Sequence, residues 1–230
     1  MKNLQLICVG YAGSVASNFN ILLPYFEENI EFVTVEYKGR GTRAKETKYT
    51  DTSDLVYDVA QQVKLLRNTE VPYAILGYSM GAQVVYEMYA QGLLDEKPIC
   101  TFVAAHEPPD IECAGKHVNL EDEAVFLEQL KVYGGMDERL LKDARFVKIY
   151  GSRMKDDFKL LQEYQFSGVY HKLLSRVVML YCEKDTPYAK VQNWRNFSDD
   201  IMFYELGENH FFFKNHPEEF CNIISKEIRG

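Results

Sequence analysis

Six short apolar runs recur along the chain: Leu4–Val9, Phe32–Tyr37, Ala74–Leu76, Thr101–Ala104, Val177–Tyr181 and Ile201–Leu206. Most lack strict alternation, and a near-continuous apolar run of this length predicts a parallel strand covered on both faces. The stretches between them carry helical spacing. Thr52–Leu66 sets Leu55, Val59 and Val63 on one face, and Ser79–Gln91 does the same with Ala82, Val85, Tyr86 and Tyr89. Gly92 is placed to end that second helix. A last helix over about Glu218–Lys226 presents Phe220, Ile223 and Ile224. Strands alternating with helices predict an α/β architecture, a mostly parallel central sheet flanked by helices.

The alternation breaks once. From about Glu107 to Phe166 there is no strand pattern, and helical patterns run over Glu121–Tyr133, Glu138–Asp143 and Arg145–Tyr164. Pro108-Pro109 opens the segment and Gly134-Gly135 punctuates it. An excursion after the fourth strand emerges at the carboxyl ends of the strands, where open α/β sheets bind ligands. Residues 1–230 are therefore expected to form one domain, with 107–166 inserted as a helical lid. The alternative is a set of helices that only enlarges the core.

Composition narrows the partners. The 230 residues carry 26 Lys and Arg against 34 Asp and Glu, a formal charge of −8, which argues against non-specific binding to nucleic acid or an anionic membrane. No apolar stretch reaches the roughly eighteen residues needed to span a bilayer, and the N-terminus enters a strand pattern without a signal-peptide layout. The five cysteines (Cys8, Cys100, Cys113, Cys182 and Cys221) are odd in number and scattered. Reduced, buried thiols in a cytoplasmic protein are the simplest account. No cysteine pair has zinc or redox spacing, and the histidines lack suitable ligand neighbours, so neither a metal nor a cofactor is expected.

Against that background one motif stands out. Gly77-Tyr78-Ser79-Met80-Gly81 follows an apolar strand and opens an amphipathic helix. A sharp strand-to-helix turn lifts a serine hydroxyl above the sheet, and small residues on either side let backbone segments approach. This is the nucleophile elbow of the α/β-hydrolase fold, with Ser79 as nucleophile. The helix that follows directs unpaired N–H groups towards charge developing on a substrate. The oxyanion hole then takes the Met80 N–H and one from the loop after the first strand, Gly10-Tyr11-Ala12-Gly13-Ser14, which leads into an expected helix containing Phe19, Leu22 and Leu23. Ala12 is the first choice and Tyr11 the second. That loop lacks both GxGxxG and a P-loop lysine, which disfavours phosphate cradling.

A serine hydroxyl needs a base, and in this fold the order runs serine, acid, histidine, each at a strand's carboxyl end. Of His106, His117, His171, His210 and His216, only His210 follows the last strand and its Gly207-Glu208-Asn209 turn. His216 stands beside Pro217 at a helix start and suits a surface or helix-terminal role. His106 precedes the acid candidates and suits the pocket wall or a structural role. After Val177–Tyr181 come Glu183 and Asp185; Asp185, in an Asp-x-Pro turn, can swing back to the imidazole and is preferred. Its task is to fix the tautomer and stabilise the imidazolium.

At these residues the chain also resembles the type II thioesterases, the editing hydrolases of nonribosomal peptide and polyketide synthases. Gly10-Tyr11-Ala12-Gly13-Ser14 is similar to the family's Pro-Tyr-Ala-Gly-Gly loop, and Lys38-Gly39-Arg40-Gly41-Thr42-Arg43 to its Pro-Gly-Arg-Gly-x-Arg turn. The elbow corresponds to Gly-His-Ser-Met-Gly-Ala. Met154-Lys155-Asp156-Asp157-Phe158 and Glu163-Tyr164 resemble the lid elements Arg-Ala-Asp-Phe and Glu-x-Tyr. Gly207-Glu208-Asn209-His210-Phe211-Phe212 resembles Gly-Gly-His-Phe-Phe with one residue inserted.

The resemblance implies hydrolysis of acyl or peptidyl thioesters held on the 4'-phosphopantetheine arms of carrier proteins, in a monomeric enzyme used in antibiotic biosynthesis. Tyr11, Tyr78 and Phe211 are the expected substrate contacts. Tyr78 stands where the family often has His, Gly10 replaces Pro and Ser14 replaces Gly; the first two, expected on the walls of the oxyanion site, bear on acyl preference. Asn209 bears on the reach of the histidine loop. Two basic groups are candidate carrier contacts: Lys38, Arg40, Arg43, Lys45 and Lys48, and on the lid Lys142, Arg145, Lys148, Arg153 and Lys155. Arg40, between two glycines, is as readily structural. The same triad would serve an esterase or lipase, an acyltransferase or cyclase, and a catalytically idle carrier-binding protein would be expected to have lost it.

Overall fold

A computed structural model describes residues 3–132, 145 and 147–229. Six strands, β1 (Leu4–Val9), β2 (Ile30–Thr34), β3 (Tyr73–Tyr78), β4 (Cys100–Ala104), β5 (Arg176–Tyr181) and β6 (Ile201–Glu205), form one sheet in the order β2-β1-β3-β4-β5-β6. Every neighbouring pair is parallel. The chain leaves β1 to build β2 on one side and returns to build β3 on the other. The sheet's topological switch therefore lies between β1 and β3, and a crevice opens above their carboxyl ends.

The unbroken apolar runs are explained by burial on both faces. In β1, Leu6, Ile7, Cys8 and Val9 are all fully buried. Leu6 and Cys8 join the core that includes Phe220 and Ile224 of the C-terminal helix, while Ile7 and Val9 join the core built by Leu55, Val59, Val84 and Val85. Helix α1 (Thr52–Leu66) starts where the Asp51 carboxylate accepts the Asp54 N–H, an N-cap that satisfies one of the first turn's orphan donors. Helix α2 (Met80–Ala90) follows the elbow directly.

Two sequence expectations shift for physical reasons. The second strand is read at Phe32–Tyr37, yet the ladder to β1 runs from Ile30 to Thr34. Beyond it Val35 and Tyr37 stay buried but leave the strand, and the Tyr37 hydroxyl donates to the Gly10 carbonyl. Val35 still donates its N–H to the Cys8 carbonyl, and both side chains join the core of Ile7 and Val9, so burial continues past the end of the ladder. The segment expected as a helix around Phe19, Leu22 and Leu23 is a run of 3₁₀ turns over Ala16–Tyr25. Pro24 withholds an amide, and Phe19 and Leu22, three apart, face inward while Leu23 is exposed.

Between β4 and β5 the described residues form no strand. They comprise a short turn at Ala114–His117, helix α3 (Glu123–Val132), a wide turn at Val147–Gly151, and helix α4 (Ser152–Glu163). The expected Glu138–Asp143 helix, the Gly134-Gly135 break and Lys142 lie outside the described residues. The inner faces of α3 and α4, with Phe126, Leu130, Met154, Phe158 and Leu161, share a core with Ala12 and Met80. The chain closes with helix α5 (Pro217–Arg229).

Candidate active site

At the end of β3 the backbone turns within one residue. Ser79 has φ 54° and ψ −121°, a conformation costing on the order of 1–3 kcal/mol for a residue with a side chain. It is held from both ends: the Ser79 N–H donates to the Ala104 carbonyl at 2.7 Å, and the Ala82 N–H donates to the Ser79 carbonyl at 2.8 Å. The flanking glycines are required by contact. A Cβ at Gly77 would overlap the Gly81 carbonyl and Ala82 backbone, and one at Gly81 would overlap the Val9 and Gly10 carbonyls. The elbow and the loop after β1 thus touch backbone to backbone.

His210 faces Ser79 from the loop after β6. Its Nε2 lies 2.9 Å from the Ser79 Oγ and its Nδ1 lies 2.8 Å from the Asp185 Oδ2. An ionised carboxylate only accepts, so the imidazole proton sits on Nδ1 and Nε2 is left to accept from the hydroxyl. Asp185 is presented by a turn in which its own N–H and that of Thr186 donate to the Cys182 carbonyl. Glu183 points elsewhere, its carboxylate accepting the Tyr188 N–H at 2.9 Å. The Asn209 side chain accepts the Phe211 N–H and shapes the turn around His210.

Ser79, Asp185 and His210 share one cleft with Ala12, Tyr11 and Phe211. Met80 opens α2, where a first-turn N–H has no intrahelical acceptor. Tyr78 is not on the cleft wall, contrary to expectation. It is fully buried beneath the elbow among Phe212, Phe213 and Phe220, and its hydroxyl donates to the His210 carbonyl at 2.6 Å. As the last strand residue before the turn it points back into the core, so it supports the site from below. His216 ends the short turn at Phe212–Asn215, and its carbonyl accepts the Phe220 N–H of α5.

One wall of the cleft is mostly apolar, formed by Leu130, Tyr150, Met154, Phe158 and Leu161 beneath α3 and α4, and His106, Glu107, Cys113 and Thr186 also line it. The signal for part of it stood in the sequence: Met154, Phe158 and Leu161 recur at helical spacing. Asp157, also on that buried face, stands in the lid motif of the resemblance, but its partners are not read there: its carboxylate pairs with Arg40 and accepts the Gly13 N–H. His106 lines the cleft with Nδ1 2.6 Å from the Glu107 carbonyl oxygen. Burial alone would lower its pKa, but Cys113 and Glu107 outweigh that and push it up to about 9. Conversely, burial alone would raise the Cys113 thiol, and His106 brings it below its ordinary value. Burial also lowers Lys214, whose ammonium lies 4.4 Å from the Phe211 ring centre.

The expected basic contacts are largely engaged. Lys38 pairs with Asp54, Arg43 with Asp58 and Glu46, and Lys48 with Asp156. All five cysteines are buried as free thiols. Among the described residues no group of three or more His, Cys, Asp or Glu is arranged to hold a metal, and no helix is long and apolar enough to cross a membrane.

Comparison with known proteins gives this geometry a family context. A model described as a thioesterase domain matches residues 4–228. The gramicidin S biosynthesis protein GrsT of Aneurinibacillus migulanus is 27% identical over 233 residues, covering 98% of this chain and 89% of that protein. The medium-chain S-acyl fatty acid synthase thioesterase of Anas platyrhynchos is 27% identical over 217 residues, covering 90% and 84%. In fold, the chain is similar to ClbQ from the colibactin NRPS/PKS pathway, with TM-score 0.84, 24% identity, and coverage of 99% and 97%. It is also similar to the type II thioesterase BorB from the borrelidin cluster, with TM-score 0.82, 20% identity, and coverage of 98% and 92%.

Proposed function

The chain belongs to the thioesterase family, and from that premise we propose that it is a type II editing thioesterase that clears acyl or peptidyl groups from the phosphopantetheine arms of synthase carrier proteins. The observation that carries the chemistry is the unbroken chain Ser79 Oγ, His210 and Asp185, with links of 2.9 and 2.8 Å, set beside an apolar cleft. GrsT, named for gramicidin S biosynthesis, and ClbQ, from an NRPS/PKS pathway, support the carrier-bound substrate.

In this reading Ser79 attacks the thioester carbonyl as His210 Nε2 takes its proton, and Asp185 steadies the imidazolium that results. The Ala12 and Met80 N–H groups hold the oxyanion. Collapse of the tetrahedral intermediate breaks the carbon–sulfur bond and releases the pantetheine thiol, leaving an acyl-Ser79 ester. A thiolate is a good leaving group, so little is asked of His210 as acid at this step. With His210 neutral again once its first proton has left with the thiol, it takes a proton from water as the water oxygen attacks the ester carbonyl; collapse of the second tetrahedral intermediate breaks the acyl–Oγ bond, His210 returns the proton to Ser79 Oγ, and the carboxylic acid is freed. Tyr11 and Phe211 form the cleft wall next to the ester, and the apolar side chains under α3 and α4 receive the acyl chain. The helical segment 107–166 acts as the lid over this cleft, in a protein that works as a monomer in the cytoplasm.

The test presents one acyl group in three forms: on a phosphopantetheinylated carrier protein, as a free pantetheine thioester and as a simple oxygen ester. The highest kcat/KM is expected on the carrier, with activity abolished in Ser79→Ala. Equal or faster turnover of the oxygen ester would make this a general esterase, and no turnover of any form would sink the catalytic reading.

A further inference from the structure

The loop that carries Ala12 is tied down by elements distant in sequence. The Gly10 carbonyl accepts the Tyr37 hydroxyl at 2.7 Å, and the Ala16 N–H donates to Glu36 at 3.0 Å. Between these points, the Gly13 N–H donates to the Asp157 Oδ2 at 2.6 Å, and the Ser14 carbonyl accepts Arg40 Nη1 at 3.2 Å. Asp157 stands on α4, in the segment above the cleft, and makes a two-pronged pair with Arg40, both links 2.6 Å. The pair is almost completely withdrawn from water, the side chains 4% and 1% exposed. Gly13 has φ 81°, and its α-carbon is packed against Met154, one helical turn before Asp157.

A buried ion pair is an expensive way to hold a helix down, and apolar residues of similar size pack as well or better. Met154, Phe158 and Leu161 already make α4 apolar on this side, and a leucine at 157 would continue the face. What a leucine cannot supply is an acceptor for the Gly13 N–H. Arg40 in turn engages both carboxylate oxygens, so the acceptor has a single position.

We propose that Asp157 is a positioning residue for the oxyanion hole: through Gly13 it sets the Ala12 N–H, and seating of α4 over the cleft thereby completes the catalytic geometry. The inference rests on Ala12 being an oxyanion donor and on Ser79 being the nucleophile. With α4 displaced, the Gly13 amide loses its acceptor and the loop is free to turn Ala12 away from the carbonyl. Hydrolysis is coupled in this way to closure over a bound acyl group.

The experiment uses the full chain with an acyl-pantetheine thioester, and an acyl trifluoromethyl ketone that adds to the serine as a tetrahedral oxyanion. Asp157→Ala strands a buried arginine and can fail to fold. The double variant Arg40→Met with Asp157→Leu removes both charges and keeps the volume, while Asp157→Asn retains an acceptor for Gly13; near-ultraviolet circular dichroism verifies folding. In the double variant kcat is expected to fall about ten- to a hundredfold. KM should stay within about threefold, and the ketone Ki should rise in parallel with the loss in kcat. Asp157→Asn should recover most of the lost kcat. A folded double variant with the kcat and ketone affinity of the unaltered chain, or a loss confined to KM, would overturn the proposal. Ser79→Ala separates the two levels: if it stays active, the catalytic reading itself has failed, whereas an inactive Ser79→Ala beside a fully active double variant defeats only the coupling.

Discussion

The Tyr78 hydroxyl donates to the main-chain carbonyl of His210 across 2.6 Å, so the strand that ends in the nucleophile also holds the loop that carries the base. Both residues are buried. Tyr78→Phe keeps the ring among Phe212, Phe213 and Phe220 but removes the hydroxyl's buried hydrogen bond to the His210 carbonyl. The expected cost is about 0.5–1.5 kcal/mol of stability. A displaced imidazole should lower kcat about tenfold or more with little change in KM. Thermal melts and steady-state kinetics on one preparation check both, and a fall in KM affinity with unchanged kcat would contradict the assignment.

The two carboxylates after β5 make opposite forecasts. Asp185→Asn keeps the shape of the turn but lets the wrong imidazole tautomer form, and kcat should drop about 10⁴-fold. Glu183 accepts the Tyr188 N–H and faces away from His210, so Glu183→Gln should leave kcat within about twofold and change stability by no more than about 0.5 kcal/mol. Reversed rankings would reassign the acid.

The elbow glycines can be tested separately from the triad. A methyl at Gly81 would overlap the carbonyl of Val9, which ends a central strand, and that of Gly10, which opens the following loop. Gly81→Ala should therefore destabilise by about 1–3 kcal/mol and push the elbow off the oxyanion loop. Denaturant unfolding and kcat should both register the change; a stable, active variant would mean the two loops are further apart than described.

The parts of this site that were legible in the sequence are those fixed by local grammar. Gly77-x-Ser79-x-Gly81 encodes a sharp turn between a strand and a helix, and the positions of Asp185 and His210 follow from strand ends that apolar runs mark. Tyr78 illustrates what local grammar misses. Its neighbour is the nucleophile, so it was expected on the cleft wall, but strand geometry sends adjacent side chains to opposite faces. Asp157 is a second case. An aspartate on an amphipathic helix reads as solvated, and nothing in its neighbourhood points to Arg40, more than a hundred residues earlier, as its partner. Long-range polar pairing is set by the tertiary arrangement. The edges of β2 differ for a related reason: Val35 and Tyr37 stay in the core beyond the end of the ladder, and hydrophobicity alone does not separate that from a strand.

The turn that carries Arg40 supplies a pH dependence. Just beyond it Arg43 makes a two-pronged contact with Asp58, and Tyr49 also donates to that carboxylate. Burial alone would raise Asp58, but the Arg43 and Tyr49 hydrogen bonds outweigh it and hold the group below its ordinary 3.8. A carboxylate lowered on folding contributes stability that is full above the unfolded value and lost as pH falls through the folded one. The melting temperature of the unaltered chain should accordingly exceed that of Asp58→Asn at pH 6, with the gap closing below about pH 3.8. A gap independent of pH would show that the asparagine damages packing and that the charge contributes nothing.

The cleft itself makes the last forecast, on acyl length. Gly115 lines it, and a Cβ there would sit 3.3 Å from Leu161 Cδ1 and Phe158 Cε1, in the angle between α4 and the short Ala114–His117 turn. The backbone at 115 does not require glycine, since its φ lies outside the left-handed region. A longer side chain at this position therefore has space only by growing into the cleft. Gly115→Leu should leave hydrolysis of an acetyl thioester within a few-fold of the original, because the carbonyl next to Ser79 is untouched. Medium-chain acyl thioesters should lose about 10- to 200-fold in kcat/KM for each methylene displaced from the apolar wall. A series of pantetheine thioesters of increasing length, run against both proteins, reads the effect as a crossover length. Equal losses at every length would mean that Gly115 lies on the approach to the serine, and no loss at any length would place the acyl chain elsewhere than under α4.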